Sequence, residues 1–280
     1  MLTLTRYNDV LSFKQDVIPF LEQYEGENNL PLGVLMNLKQ DELPIYMATV
    51  TKNGHLSLVL LQTKPQQMIL SKSLPFTAAE IIQLAEKLYE DYPQVPGIIG
   101  ETQLVKPLAE KLANLKNSQV EIQMEQRIYV LTKVKKEASK RGILRLAEKR
   151  DYSIVEQWVY QFSHDVGLPF LSMEEAVQRA QEMFEQKRLY VWEVEGKIVS
   201  MACWARPTKR NVTISYVYTP PEERKKGYAS DCVSALTQHL LDSGYQTTSL
   251  YTDLANPTSN KIYMEIGYEP VMDSAVVFIK

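Results

Sequence analysis

Cysteine is scarce in this chain: 280 residues include two, Cys203 and Cys232. One falls in a segment that reads as a strand, the other in a helix. Their spacing gives neither a disulfide framework nor a zinc-ligand set, so both read as buried, reduced thiols and no metal is expected. Long apolar runs are absent too. No stretch approaches the about 18 uninterrupted apolar residues of a membrane helix. The opening MLTLTRYNDVLSF has no basic flank followed by an apolar run, so it does not read as a signal peptide. Nor does one sign of charge dominate: 31 Lys and Arg stand against 34 Asp and Glu, a formal net charge of −3. That balance gives no general attraction to nucleic acid or to anionic membranes. The expectation is a cytoplasmic protein with no nucleic-acid and no membrane partner, in which any anion site is local.

What is present is ordinary globular material. Hydrophobic residues make up 45% and charged residues 23%, which argues against long disorder. The length suggests two domains. In the first half, apolar spacing predicts a helix over Val10 to Tyr24, and Asn29 to Met36 is short and mixed. Strands over Ile45 to Val50 and His55 to Thr63 flank Asn53-Gly54, a hairpin turn signal. A short strand over Gln67 to Ser71 follows. Thr77 to Tyr89 reads as an amphipathic helix with Thr77 and Glu80 as a capping box. A strand (Gly97 to Glu101), a helix (Leu104 to Leu115) and a long alternating strand (Val120 to Thr132) complete this half.

The polar, basic run KVKKEASKR has no apolar period and reads as a solvated linker. The division expected is therefore 1–133, linker 134–142, and 143–280. The second part reads as a strand at Leu144 to Leu146 and helices over Tyr152 to Asp165 and Met173 to Lys187. A hairpin about Glu195-Gly196 and a strand over Asn211 to Tyr218 follow. After these come a helix over Ala229 to Ser243, a strand over Thr247 to Thr252, a helix over Ser259 to Ile266, and closing strands to Ile279. The class is α/β with a mixed sheet. The first half shows a shorter version of the same order, suggesting a degenerate duplication.

The chemistry-bearing stretch is VTISYVYTPPEERKKGYAS, from Val212 to Ser230. The prolines at 220 and 221 stop the strand. Arg224-Lys225-Lys226-Gly227-Tyr228-Ala229 then leads straight into a helix. The free N–H groups of that helix start form an anion site. Gly227 lets a ligand approach the backbone, and the small Ala229 does likewise. Arg224, Lys225 and Lys226 bring three positive charges. Basic residues at a helix N-terminus oppose its dipole, so their presence favours a bound anion.

Arg-x-x-Gly-x-Ala between a strand and a helix resembles the acetyl-CoA signature of the GNAT superfamily of N-acetyltransferases. Downstream, Asn256 to Gly267 (NPTSNKIYMEIG), followed by Tyr268, resembles that family's second motif. The resemblance implies a GNAT acyl-CoA N-acyltransferase fold in the C-terminal half and a smaller, degenerate GNAT-like α/β domain before it. It implies that Val217, Tyr218 and Thr219 line the pantetheine arm, with the backbones of Val217 and Thr219 pairing to it. Lys225, Lys226, Gly227, Tyr228, Ala229 and Ser230 would cradle the pyrophosphate, with Arg224 beside them. Asn256 and Asn260 would touch the coenzyme. Tyr263 would be the general acid that protonates the departing thiolate. Acetyl-CoA is the implied cosubstrate, a small-molecule amine or peptide the acceptor, and the assembly a monomer or homodimer.

The general base is not evident. The strand Asn211 to Thr219 has no acid, which leaves Glu193, His164-Asp165 or a water chain with Tyr216. The loop FSHDVGLPF, from Phe162 to Phe170, is expected to shape acceptor choice. The first half has no equivalent glycine loop: Thr63 to Gln67 lacks glycine, and Gly97 to Glu101 reads as a buried strand. It is therefore not expected to bind coenzyme. Two functions follow: acetyl transfer to a primary amine in a ternary complex, or a catalytically inactive coenzyme A-binding sensor or partner module.

Overall fold

The computed structural model describes every residue except 40, 41 and 166–169. The chain forms two compact units. The first holds residues 1–128, 252–255 and 270–280, and the second residues 129–251 and 256–269. Among the described residues, no helix is long and apolar enough to cross a membrane.

In the first unit the strands are β1 (Leu2–Arg6), β2 (Tyr46–Lys52), β3 (His55–Lys64), β4 (Gln67–Leu70) and β5 (Gly97–Glu101). β1 to β4 pair antiparallel in sequence order, and β4 pairs parallel with β5. Helices α1 (Val10–Leu21) and α2 (Asn29–Asn37) follow β1, while α3 (Ala78–Asp91) and α4 (Thr102–Lys116) flank β5. The mixed stretch at Asn29 is thus a helix, despite Pro31 and Gly33 inside it; Pro31 sits in the first turn, where its missing N–H costs nothing. β1 carries no strong strand signal by itself and is held by its ladder to β2. Strand β6 (Val120–Leu131) leaves this unit near its end, with Tyr129 and Leu131 in the core of the second unit.

The second unit repeats the order: β7 (Ile143–Leu146), α5 (Tyr152–Asp165), α6 (Met173–Glu185), β8 (Leu189–Val194), β9 (Lys197–Ala205), β10 (Asn211–Tyr218), α7 (Tyr228–Asp242), β11 (Thr247–Asp253) and α8 (Pro257–Ile266). β7 to β10 are again antiparallel in turn, and β10 pairs parallel with β11. The duplication suggested by element order is therefore present in the strand pairing. The closing segment, expected to stay with the second half, forms one strand, β12 (Glu269–Ile279). From Pro270 on it lies in the first unit, antiparallel to β5 from Ser274↔Glu101 to Phe278↔Gly97. Its apolar residues Ala275, Val277 and Ile279 complete the core there, an outcome that no local pattern encodes.

The run expected as a solvated linker is docked onto the second unit. Lys135 N–H donates to Ile266 O at 2.8 Å. Ser139 N–H and Oγ–H donate to the two Asp231 oxygens at 2.9 and 2.6 Å. The second unit has two cores. One, with Val212, Ile214, Cys232, Val233, Leu236 and Ile266, lies under α7 and α8. The other, with Val155, Trp158, Ala180, Met183, Val191 and Met201, lies under α5 and α6.

Candidate active site

β10 is irregular where it matters. Its pairing with β9 shifts register between Ser215 and Tyr218, and Tyr216 adopts φ 50° in that interval. This is a β-bulge, with a non-glycine residue in the left-handed region. Such strain tends to persist at functional sites. Parallel pairing with β11 runs from Asn211↔Thr247 to Ile214↔Leu250 and ends there, although β10 continues to Tyr218. The last residues of β10 thus lose their neighbour on that side. In the first unit the equivalent strands stay closed: a Cβ on Gly100 of β5 would stand 2.9 Å from Leu70 O of β4.

After β10 the chain turns at Thr219-Pro220 and makes one 3-10 turn over Pro221–Glu223. Lys225 (φ 63°) and Gly227 (φ 87°) are both left-handed, a geometry that turns successive N–H groups toward one concavity. α7 starts with Gly227 as N-cap and no side-chain cap. The N–H groups of Lys225 to Ser230 meet no acceptor among the described residues. The matching helix of the first unit differs. There Thr77 Oγ1 accepts from Glu80 N–H and the Glu80 carboxylate accepts from Thr77 N–H at 2.8 Å. That helix start is filled by its own acid, whereas the start of α7 is open to a foreign one.

The side chains of the loop are largely committed. Arg224 Nη2 donates to Asp165 at 2.5 Å and Nε to Thr219 O at 2.9 Å, with the guanidinium 5.8 Å from the Tyr218 ring centre. Lys226 and Lys197 both pair with the buried Glu223, at 2.9 and 2.6 Å. Glu223 is held below the usual carboxyl range, first by Lys197 and then by Lys226. Lys225 alone of the three expected cations makes no ion pair with a described residue. The Tyr218 hydroxyl donates to Gln161 at 2.8 Å. Ser200 Oγ donates to Tyr218 O at 3.0 Å and lies 2.9 Å from Thr219 Oγ1. Val217 and Tyr228 pack on the α7 core, Ser230 is buried and Ala229 half-buried.

Tyr263 of α8 is buried among the α7 core residues. Burial, then the neighbouring Tyr268 and Cys232, raise its ionisation above the ordinary phenol range. Its hydroxyl makes no hydrogen bond to a described residue. It is a neutral donor without a partner among the described residues. The Cys232 thiol beside it is pushed up to about 12 by burial, as is the Cys203 thiol, so neither is a thiolate near neutrality. The two asparagines are engaged. Asn256 caps α8 by accepting from Ser259 N–H at 3.1 Å. Asn260 accepts from the buried Tyr129 hydroxyl at 2.8 Å and donates to Asn256 O at 2.7 Å.

Of the expected bases, Glu193 is spent: it accepts from Arg145 at 2.6 Å and Arg150 at 3.3 Å. Asp165 is spent on Arg224. His164 Nδ1 lies 3.0 Å from Tyr160 O. A carbonyl only accepts, so Nδ1 is the donor in that contact. Tyr216 packs 4.9 Å from Phe162, and burial raises its ionisation. The centre of the expected acceptor loop, Val166, Gly167, Leu168 and Pro169, lies outside the described residues. Sequence reasoning missed Ser139, Arg141 and Asp231, which meet at the start of α7. A groove of about 450 Å³ along α7, lined by Glu137, His239 and Asp242 among others, carries carboxylates and does not suit an anion.

Residues 156–268 match the model of the Acetyltransferase (GNAT) family. Solved structures share the fold at low identity. A GCN5-related N-acetyltransferase from Sphaerobacter thermophilus aligns with TM-score 0.61 at 12% identity, covering 99% of this chain and 94% of that one. A GNAT-family acetyltransferase from Colwellia psychrerythraea gives 0.56 at 14%, covering 99% and 98%. A tandem GNAT protein from the clavulanic acid biosynthesis pathway gives 0.53 at 11%, covering 100% and 98%. Comparison with curated proteins gave no match.

Proposed function

We propose that the protein, whose residues 156–268 match the GNAT acetyltransferase model and whose chain aligns along nearly its whole length with solved structures of that fold, transfers an acetyl group from acetyl-CoA to a primary amine, in a ternary complex on the second unit. The single observation that carries this reading is the uncapped start of α7, where the N–H groups from Lys225 to Ser230 are open to an anion. The coenzyme's diphosphate would lie there, and its pantetheine arm along the unpaired edge of β10 past Val217 and Thr219. The loop's backbone, with Lys225, supplies the recognition, since Arg224 and Lys226 are tied within the chain. Asn256 and Asn260 then serve by shaping α8.

The amine nitrogen attacks the thioester carbon, the C–S bond breaks, the Tyr263 hydroxyl gives its proton to the leaving thiolate, and the proton shed by the new amide nitrogen returns through solvent to the phenolate. Burial keeps this phenol protonated in the resting site and makes it a weaker acid, so its proton moves only as charge builds on the leaving sulfur. The ammonium form of the acceptor must first lose a proton. His164 Nε2 is the candidate acceptor left after Glu193 and Asp165 are spent.

The test is thiol release from acetyl-CoA across a panel of amines, with the acetylated product identified by mass spectrometry. Wild type is expected to turn over at least one acceptor. Tyr263→Phe is expected to lower kcat about a hundredfold or more while binding acetyl-CoA as well as wild type does. A second reading is a coenzyme-binding module without turnover, favoured by the engagement of both nearby carboxylates in ion pairs. Tight binding with no product from any amine would select it.

A further inference from the structure

The segment ahead of β7 brings to the loop a cation that the loop's own sequence does not contain. Arg141 lies in the docked run that precedes Gly142. Its Nη2 donates to Lys226 O at 3.0 Å and to Asp231 Oδ2 at 3.3 Å, and its Nε to Ser139 Oγ at 3.2 Å. The guanidinium stands 5.7 Å from the Tyr228 ring centre. Nη1 makes no bond to a described residue. A Cβ built on Gly227 would meet one other group among the described residues, Arg141 Nη2, at 3.2 Å. The space that glycine keeps open is therefore bordered by this guanidinium. Asp231, 6% exposed in the first turn of α7, puts a negative charge beside the same N–H groups, and Arg141 faces it.

We propose that Arg141 is a ligand of the coenzyme's diphosphate, offering Nη1 to a phosphate oxygen over Gly227 while its Nη2 offsets Asp231. This rests on the coenzyme site proposed above. Two of the motif's three cations are committed elsewhere: Arg224 is held by Asp165 and Thr219 O, and Lys226 by Glu223. The guanidinium is a planar fork suited to phosphate. Its contact with the Lys226 carbonyl also fixes the loop's shape before the ligand arrives.

Acetyl-CoA and acetyl-3′-dephospho-CoA are titrated into the full chain as wild type, Arg141→Gln, Arg141→Lys and the double variant Arg141→Gln/Asp231→Asn. Arg141→Gln is expected to weaken both ligands alike, by about tenfold or more for a lost charge-assisted bond. Arg141→Lys, keeping the charge without the fork, is expected to recover part of that loss for both. The double variant is expected to stay weak. Wild-type affinity in the double variant would show that Arg141 acts only as a counter-charge to Asp231, and would overturn the proposal. A loss confined to acetyl-CoA would point to the 3′-phosphate and would also overturn it. If Arg141→Gln does not fold, equal weakening of the two ligands in Arg141→Lys supports the assignment, and unchanged affinity refutes it. Wild type that binds neither ligand would instead remove the coenzyme reading itself.

Discussion

Replacing Gly227 by alanine separates the two things this glycine does. Its φ of 87° lies in the left-handed region, which costs a residue with a Cβ about 1 kcal/mol or somewhat more. The new methyl would meet one flexible group, Arg141 Nη2, at 3.2 Å, which can give by a few tenths of an ångström. Packing therefore adds little to the loss of stability. Ligand binding is another matter, because the methyl occupies the space above the open N–H groups. Losing one bond to a charged oxygen costs about 1.5–3 kcal/mol, which is roughly ten- to a hundredfold in Kd. Gly244, just past the other end of α7, is the control. Its φ is 107°, and a Cβ there would meet nothing within 4 Å. Denaturant unfolding and calorimetric titration of acetyl-CoA are run on both variants. Both are expected to lose about 1 kcal/mol of stability, and Gly227→Ala alone to lose affinity. Equal affinity for Gly227→Ala and wild type would refute the phosphate cradle. An equal loss in Gly244→Ala would show that only helix stability matters.

Asn260→Ala strands the buried Tyr129 hydroxyl, whose partner lies at 2.8 Å. Denaturant unfolding is expected to show a loss of about 1–3 kcal/mol. The pair of the half-buried Arg145 and the buried Asp151 gives a pH signature. Burial alone would raise the Asp151 carboxyl, but hydrogen bonds from Arg145 and Glu148 N–H outweigh it and hold the group below its usual range. A lowered carboxyl stabilises the fold above the unfolded value near about 4, and that stabilisation is lost as pH falls through the folded value. Arg145 keeps Glu193 as a partner, so Asp151→Asn is expected to cost about 1.5–3 kcal/mol at pH 7, the range for a lost hydrogen bond to a charged group, with the gap to wild type closing below roughly pH 4; a gap that is constant with pH would contradict the ion-pair account.

Local chemistry was legible in the sequence. The turns at Asn53-Gly54 and Glu195-Gly196 have the paired positive φ values that such dipeptides allow. The Thr77 capping box, the stop after Thr219 and the glycine at the start of α7 follow from single-residue rules. What escaped depends on distant partners. Arg224 reads as a free cation until Asp165, 59 residues away, closes on it. Arg141 reads as linker until Asp231, 90 residues on, anchors it. Asn260 matches a motif position, yet its amide is claimed by Tyr129 across 131 residues. Strand β12 has the alternation of any half-buried strand, and only tertiary packing sends it to β5.

The most direct measurement is the stoichiometry of acetyl-CoA binding to the full chain by calorimetry. The start of α7 is open, whereas that of α3 is occupied by Glu80. One coenzyme per chain is therefore predicted, lost in a Gly227→Glu variant and kept in Glu80→Gln. No binding, two sites per chain, or a single site that survives Gly227→Glu would contradict the account.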